Sequence, residues 1–197
     1  MAKKINQKIY KIKKELILQE ATIIFEEKGY ENMKISTLAK TAGVSQSTIY
    51  SMFKNKERLY IEYIKYQIKK FLEDLNTRII PTHTPFDKLY NFTALKFEYY
   101  IKKDKAIEFN IKNNPLFFNT LYKDFSSPFE DVYKFLINTF KEIDSNLNDE
   151  RATKLAYSFN AFSDGYIALW LEKQNINLLN LTEEICESFF SITNFIK

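Results

Sequence analysis

No proline occurs before Pro81 in this 197-residue chain, and Gly29 and Gly43 are the only glycines in that span. A stretch so poor in helix breakers has little to stop helices once they start. Apolar residues recur at three- and four-residue spacing, and sustained apolar–polar alternation is absent. The pattern predicts an all-α protein.

Composition narrows the classes. The chain has one cysteine, Cys186, and one histidine, His83. Neither an intrachain disulfide nor a Cys/His metal cluster can be built from these, so no metal or other cofactor is expected. No apolar run follows the early lysines, and no stretch nears the roughly 18 continuous apolar residues of a membrane span. A cytoplasmic location without membrane attachment is expected. There is no Gly-rich phosphate loop and no plausible nucleophile–base pair, so a non-enzyme is expected.

Charge is unevenly distributed. Residues 1–58 hold 12 Lys/Arg and 6 Asp/Glu, a net +6, whereas the remainder carries −2. The excess is either a solvated basic surface or the footprint of an anionic partner such as nucleic acid.

The N-terminal third divides into three helices. Ile17, Ala21, Ile24 and Phe25 form an apolar stripe that ends at Gly29, suited to the left-handed position just past a helix C-terminus. A short second helix runs from Ile35 or Ser36 to Ala42, with Leu38 and Ala39 inward. Gly43 stops it, and Ser45 caps the next helix through its hydroxyl. In the third helix, Gln46 to Phe53, Ile49 and Phe53 share one face. At about 100° per residue Ser47 and Ser51 lie opposite, with Thr48 and Tyr50 on the flanks. Small polar residues let a helix approach another surface closely, and Gln, Ser and Thr meet base edges or phosphates. Helix, Gly-containing turn, helix is the helix-turn-helix layout. Asn55 then caps a long helix whose free N–H groups, beside Lys56, form an anion site.

Residues from about Ile17 to Leu59 resemble the DNA-binding domain of the TetR family of bacterial transcription regulators. The resemblance rests on Ile17, Ala21, Ile24-Phe25, Gly29-Tyr30, Leu38-Ala39, Ala42-Gly43-Val44-Ser45, Thr48-Ile49-Tyr50, Phe53 and Lys56-Glu57-Arg58-Leu59. It departs at Met33-Lys34, where the family has Ser or Thr, so Ser36 is expected to cap the second helix instead. The resemblance implies that Ser45 caps the recognition helix and touches phosphate, that Gln46, Ser47 and Ser51 face bases, and that Thr48 and Tyr50 anchor the DNA backbone or pack on a thymine methyl. It also implies phosphate binding by Lys56. Lys3, Lys4 and Lys8 precede the first helix, as an arm on DNA or as a solvated tail.

The expected organisation is a helix-turn-helix domain over residues 1–58 and a larger helical effector-binding and dimerisation domain over 59–197. Helices are expected near residues 56–79, 86–102, 104 onward, 126–143, 149–173 and 182–195. Small residues interleave with large ones in "AFSDGYIALWL", Ala161 to Leu171. This stretch resembles the family's helical dimer interface, which implies Ala161, Phe162, Gly165, Leu169 and Phe189 as contacts. The resemblance further implies an effector pocket in the aromatic-rich middle, with Phe97, Tyr100, Phe109, Phe117, Tyr122, Tyr133 and Tyr166 as candidate lining.

The expected function is a homodimeric transcriptional regulator that binds pseudo-palindromic double-stranded DNA as a repressor and is released by a small apolar or aromatic ligand. The alternatives are an effector-independent nucleoid or division factor of the same fold, and a helical ligand-binding protein or enzyme.

Overall fold

The computed structural model describes residues 2–103, 105–106, 127–173 and 175–193. The described elements are helical throughout: α1 (Ala2–Asn32), α2 (Ile35–Thr41), α3 (Gln46–Phe53), α4 (Lys56–Arg78), α5 (Pro85–Lys102), α6 (Ser127–Ile143), α7 (Asp149–Glu172) and α8 (Thr182–Thr193), with a 3₁₀ turn at Leu179–Leu181. No helix among the described residues is long and apolar enough to cross a membrane. The chain divides into two compact units, Met1–Gln67 with Lys103–Leu121, and Ile68–Lys102 with Tyr122–Lys197. The boundary at residue 67, like that expected at residue 58, falls within α4.

The first unit is built on the α1 stripe. Ile17, Ala21, Ile24 and Phe25 are buried, with Leu38 and Ala39 of α2, Ile49 and Phe53 of α3, and Leu59, Tyr60 and Tyr63 of α4. Phe25 lies 5.2 Å from the Tyr60 ring, edge to face, and 4.9 Å from Tyr63. Such aromatic pairs add stabilisation beyond their buried area. Gln67, itself buried, donates to Thr22 Oγ1 at 2.8 Å and ties α4 to α1. Lys3, Lys4 and Lys8 do not precede the first helix, because α1 already begins at Ala2.

Gly29 kinks α1 with φ 72° and ψ 174°, leaving one further turn to Asn32. This is not the left-handed helical conformation that ends many helices but the extended, positive-φ region that only glycine occupies readily. A second constraint acts at the same residue. A Cβ on Gly29 would lie 3.0 Å from the backbone oxygen of Lys105. The segment carrying Lys105 is held by two further contacts. The buried Tyr60 hydroxyl donates to Ala106 O at 2.8 Å, and Lys103 pairs with Glu26.

The second unit packs α5, α6, α7 and α8 around Leu89, Phe92, Leu136, Phe140, Phe159, Phe189 and Phe190. Local signals place the helix starts. Thr84 and Asp87 cap α5 reciprocally: Asp87 N–H donates to Thr84 Oγ1 at 3.1 Å, and Thr84 N–H donates to Asp87 Oδ2 at 2.8 Å. Pro85 occupies the first helical position, where its missing N–H leaves nothing unpaired. Asn148 caps α7 by accepting from Arg151 N–H. Cys186 is buried and donates to Thr93 Oγ1 at 3.9 Å; burial pushes its thiol up to about 11. It is a packed residue rather than a reactive one.

Gly29→Ala is expected to destabilise the chain by about 1–3 kcal/mol, because φ and the Lys105 carbonyl oppose the new Cβ together. Thermal denaturation reads this as a drop of roughly 2–12 °C for a chain of this size.

Candidate functional site

Two short helices and the turn between them make the surface of interest. Gly43, at φ 63°, turns the chain out of α2; apart from its chain neighbours, no described residue has an atom within 4 Å of where its Cβ would stand. The glycine is therefore required for its backbone angle and not for space. Val44 N–H reaches back to Ala39 O at 2.9 Å and closes the turn.

Ser45 then starts α3 from extended backbone, its Oγ accepting from Thr48 N–H at 3.1 Å. The same Oγ lies 2.7 Å from Ser47 Oγ and 2.9 Å from Thr48 Oγ1. Two hydroxyls expected at DNA are thus engaged with the cap. Ile49 and Phe53 are buried, which rotates Gln46, Ser47, Tyr50 and Ser51 to the outside, all exposed. The outer face of α3 carries amide and hydroxyl groups and one phenol, with no charge.

α3 leaves through a strained turn. Lys54 adopts φ 66° and ψ −52°, and Asn55 N–H donates to Phe53 O at 2.8 Å. This is a γ-turn of the rare, positive-φ kind. It reverses the chain within one residue, so that Asn55 Oδ1 can accept from Arg58 N–H at 2.8 Å and cap α4. The sequence pattern gave no sign of this turn, since lysine does not favour positive φ.

Lys56 is directed to α1. Its ammonium donates to Glu31 O at 3.0 Å and lies 4.6 Å from the centroid of the Tyr30 ring. It fastens the start of α4 to the last turn of α1, using one of three N–H donors. Ser36 does not cap α2. The helix begins at Ile35 with Lys34 in the cap position and no side-chain hydrogen bond there, which corrects the expectation from sequence.

The aromatic candidates of the second unit separate into several environments. Phe97 is fully buried with Ile167, Leu178 and Ile185, and Tyr100 and Tyr166 pack on that cluster. Tyr133 is buried and stacks on Tyr157 with ring centroids 3.8 Å apart. Phe109, Phe117 and Tyr122 lie outside the described residues. On α7, Ala161, Gly165 and Leu169 are exposed and Phe162 is half-buried. Phe189 is not on an outer surface: it packs inward against Phe140, Phe159 and Phe162. The outward residues of α8 include Glu184, Glu187, Ser191 and Ile192.

One buried charge interrupts the apolar core of this unit. Lys96 of α5 is buried, and its ammonium donates to Asn160 O at 3.2 Å, Asn160 Oδ1 at 2.9 Å and Ser163 Oγ at 2.9 Å. Asp164 completes the set at 2.6 Å. Asn160 also donates to the Tyr133 hydroxyl at 3.4 Å. The signal was present in the spacing, for Lys96 follows Leu89 and Phe92 at helical intervals on the inward face of α5. Burial pulls the Lys96 ammonium below its ordinary value, and Asp164 opposes that pull.

A glycine-bearing turn between two helices, with an uncharged polar face on the second, makes this a helix-turn-helix protein. The chain belongs to the TetR family of bacterial regulatory proteins, whose family model matches residues 17–63. It is 31% identical over 143 residues to the HTH-type transcriptional regulator QacR of Staphylococcus aureus, covering 70% of this chain and 72% of that protein. It is 37% identical over 73 residues to the fatty acid metabolism regulator protein of Bacillus subtilis, a match spanning only 38% of that relative's length. In fold it is similar to a tetR-family regulator from Streptomyces coelicolor, with TM-score 0.72, 16% identity and coverage of 93% and 81% of the two chains. It is also similar to FadR from Bacillus subtilis in complex with stearoyl-CoA, with TM-score 0.66, 22% identity and coverage of 89% and 97%.

The Lys96 network carries an asymmetric expectation. Lys96→Met takes a donor from Asn160 and Ser163 but leaves no buried charge, and is expected to cost less than Asp164→Asn, which leaves the buried ammonium with neutral acceptors only and costs about 1–3 kcal/mol. With the folded-state pKa depressed, the unfolded chain binds more protons, so stability rises with pH. The Asp164→Asn deficit is therefore expected to shrink as pH climbs toward the ordinary lysine value of about 10.4, read by thermal melts at several pH values.

Proposed function

We propose that this chain is a non-catalytic, cytoplasmic homodimeric repressor that binds a pseudo-palindromic DNA operator through α3 and releases it when a small ligand occupies the second unit. The observation that carries the reading is the rotational setting of α3. Ile49 and Phe53 are buried beneath Gln46, Tyr50 and Ser51, which are exposed. A B-DNA major groove about 12 Å wide admits such a helix. Gln46 is the natural base-reading residue, because its amide both donates and accepts. Ser45, Ser47 and Thr48 act as a bonded hydroxyl group at the helix start, suited to phosphate. Tyr50 and Ser51 complete the contact face. Lys56 contributes a donor to phosphate from a position preset by Glu31 and Tyr30.

Ligand response is supported by the similarity to a regulator seen with stearoyl-CoA and by the aromatic composition of the second unit. The proposed ligand is apolar or aromatic in its main body. Tyr100, Tyr133 and Tyr166 are the described residues proposed to meet it, with Phe97 behind them. Release requires that the ligand prefer the conformer that fits DNA poorly; equal affinity for both conformers shifts nothing.

Binding to operator DNA is expected to fall steeply with salt, since neutralised phosphates release counterions. Gln46→Ala is expected to lose about 1–3 kcal/mol on the operator while leaving random-sequence binding unchanged. Lys56→Ala weakens both alike. Fluorescence anisotropy against operator and scrambled duplexes separates the two effects, and equal losses for Gln46→Ala would overturn the assignment.

The dimer is proposed to use the outer face of α7, with Ala161, Gly165 and Leu169 at its centre and α8 alongside. Within one protomer nothing lies within 4 Å of a Cβ at Gly165. Gly165→Leu is therefore harmless to a lone protomer and obstructive to close helix approach. Sedimentation is expected to show a dimer for the wild type and monomer for Gly165→Leu, with helical content retained.

A further inference from the structure

The first four turns of α1 carry an apolar seam outside the described core. Ile5, Ile9, Ile12 and Leu16 are 53%, 55%, 50% and 53% exposed. At about 100° per residue they fall within roughly 60° of arc, on the side of the helix opposite Ile17, Ala21 and Phe25. Their spacing of four, three and four residues is that of a coiled-coil seam, and Gln19 and the exposed Ile23 extend the same line. We propose that this seam is a self-association surface, on which α1 of a second copy of the chain docks antiparallel.

The charges beside the seam select the occupant and its direction. Lys8 and Glu15 are exposed on one flank, Asn6 and Lys13 on the other. In a parallel pair Lys8 would face Lys13 of the second copy, and Glu15 would face Glu20. Both contacts are repulsive. In an antiparallel pair Ile9 meets Ile12 and Ile5 meets Leu16, each contact occurring twice by symmetry. Lys8 then faces Glu15 of the second copy, also twice, and Lys13 faces the neutral Asn6. The antiparallel register buries all four seam residues and opposes unlike charges. Shifting it by one heptad places Glu15 on Glu15 and Lys13 on Lys13.

Other occupants fit less well. A duplex surface dominated by phosphate and sugar offers few apolar partners to a row of isoleucines four turns long. A lipid surface favours a broader apolar face than this narrow seam. Residues 2–16 hold six lysines and one glutamate, so two copies repel at long range. Salt screens that repulsion while leaving apolar burial intact. The surface lies on α1, a different element from the proposed α7 interface.

Sedimentation equilibrium on the full chain, at low and high sodium chloride, tests this. The wild type is expected to show an association step beyond that removed by Gly165→Leu, and to strengthen with salt. Ile9→Glu with Ile12→Glu should weaken this step at least tenfold without changing the thermal melt, since both side chains are exposed. Lys8→Glu alone and Glu15→Lys alone should each weaken it, and the double exchange should restore it. A stronger step in Lys8→Glu would mean a parallel pair and overturn the proposal. So would a step indifferent to all these changes, or no step at all. Flotation with vesicles of anionic lipid provides the remaining arm. Binding to vesicles that is lost in the isoleucine variant, with no self-association, would assign the seam to a membrane and refute pairing.

Discussion

The rotational setting of α3 is the constraint on which the rest of this molecule's chemistry depends. Two side chains, Ile49 and Phe53, set it by entering the core of the first unit. A helix of eight residues has little stability of its own, so its position comes from what it buries. Those two residues lie one turn apart, and their burial decides that Gln46, Tyr50 and Ser51 face outward. The cap at Ser45 and the γ-turn at Lys54 then determine where the face begins and ends. Strain at Lys54 is tolerated because Asn55 must come into position to cap α4.

The kink at Gly29 plays a comparable part at the other end of the unit. It redirects α1 for one last turn, whose Glu31 carbonyl and Tyr30 ring receive Lys56. One cation thereby fastens the first helix to the fourth. The same glycine admits the Lys105 carbonyl, and Tyr60 and Glu26 hold the residues on either side. Backbone freedom at a single residue thus serves both the helix path and the approach of a segment some 75 positions away in sequence. In the second unit the aromatic core is similarly organised around one polar exception. Lys96 is buried with a full set of acceptors on α7, so α5 and α7 are held in a specific register and not merely by apolar contact. A buried cation of this kind adds little net stability but penalises any arrangement in which its partners are lost.

The helices, their order and most of their ends were determined by local signals in the sequence. Gly43, Ser45, Asn55, Thr84-Pro85 and Asn148 act within a few residues of themselves, and apolar spacing distinguishes inward from outward faces. The candidate recognition face was legible for the same reason, being the reverse of a two-residue stripe. Only the tertiary structure decided what each outward or ambiguous side chain does. It engaged Ser47 with the cap, sent Lys56 to the end of α1, turned Phe189 and Phe97 into the core and buried Lys96 against α7. It also left Ile5, Ile9, Ile12 and Leu16 exposed among the described residues. Periodicity reports which side of a helix is apolar, but a hydrogen bond between residues 25 or 64 positions apart depends on how helices pack, and no local pattern records that.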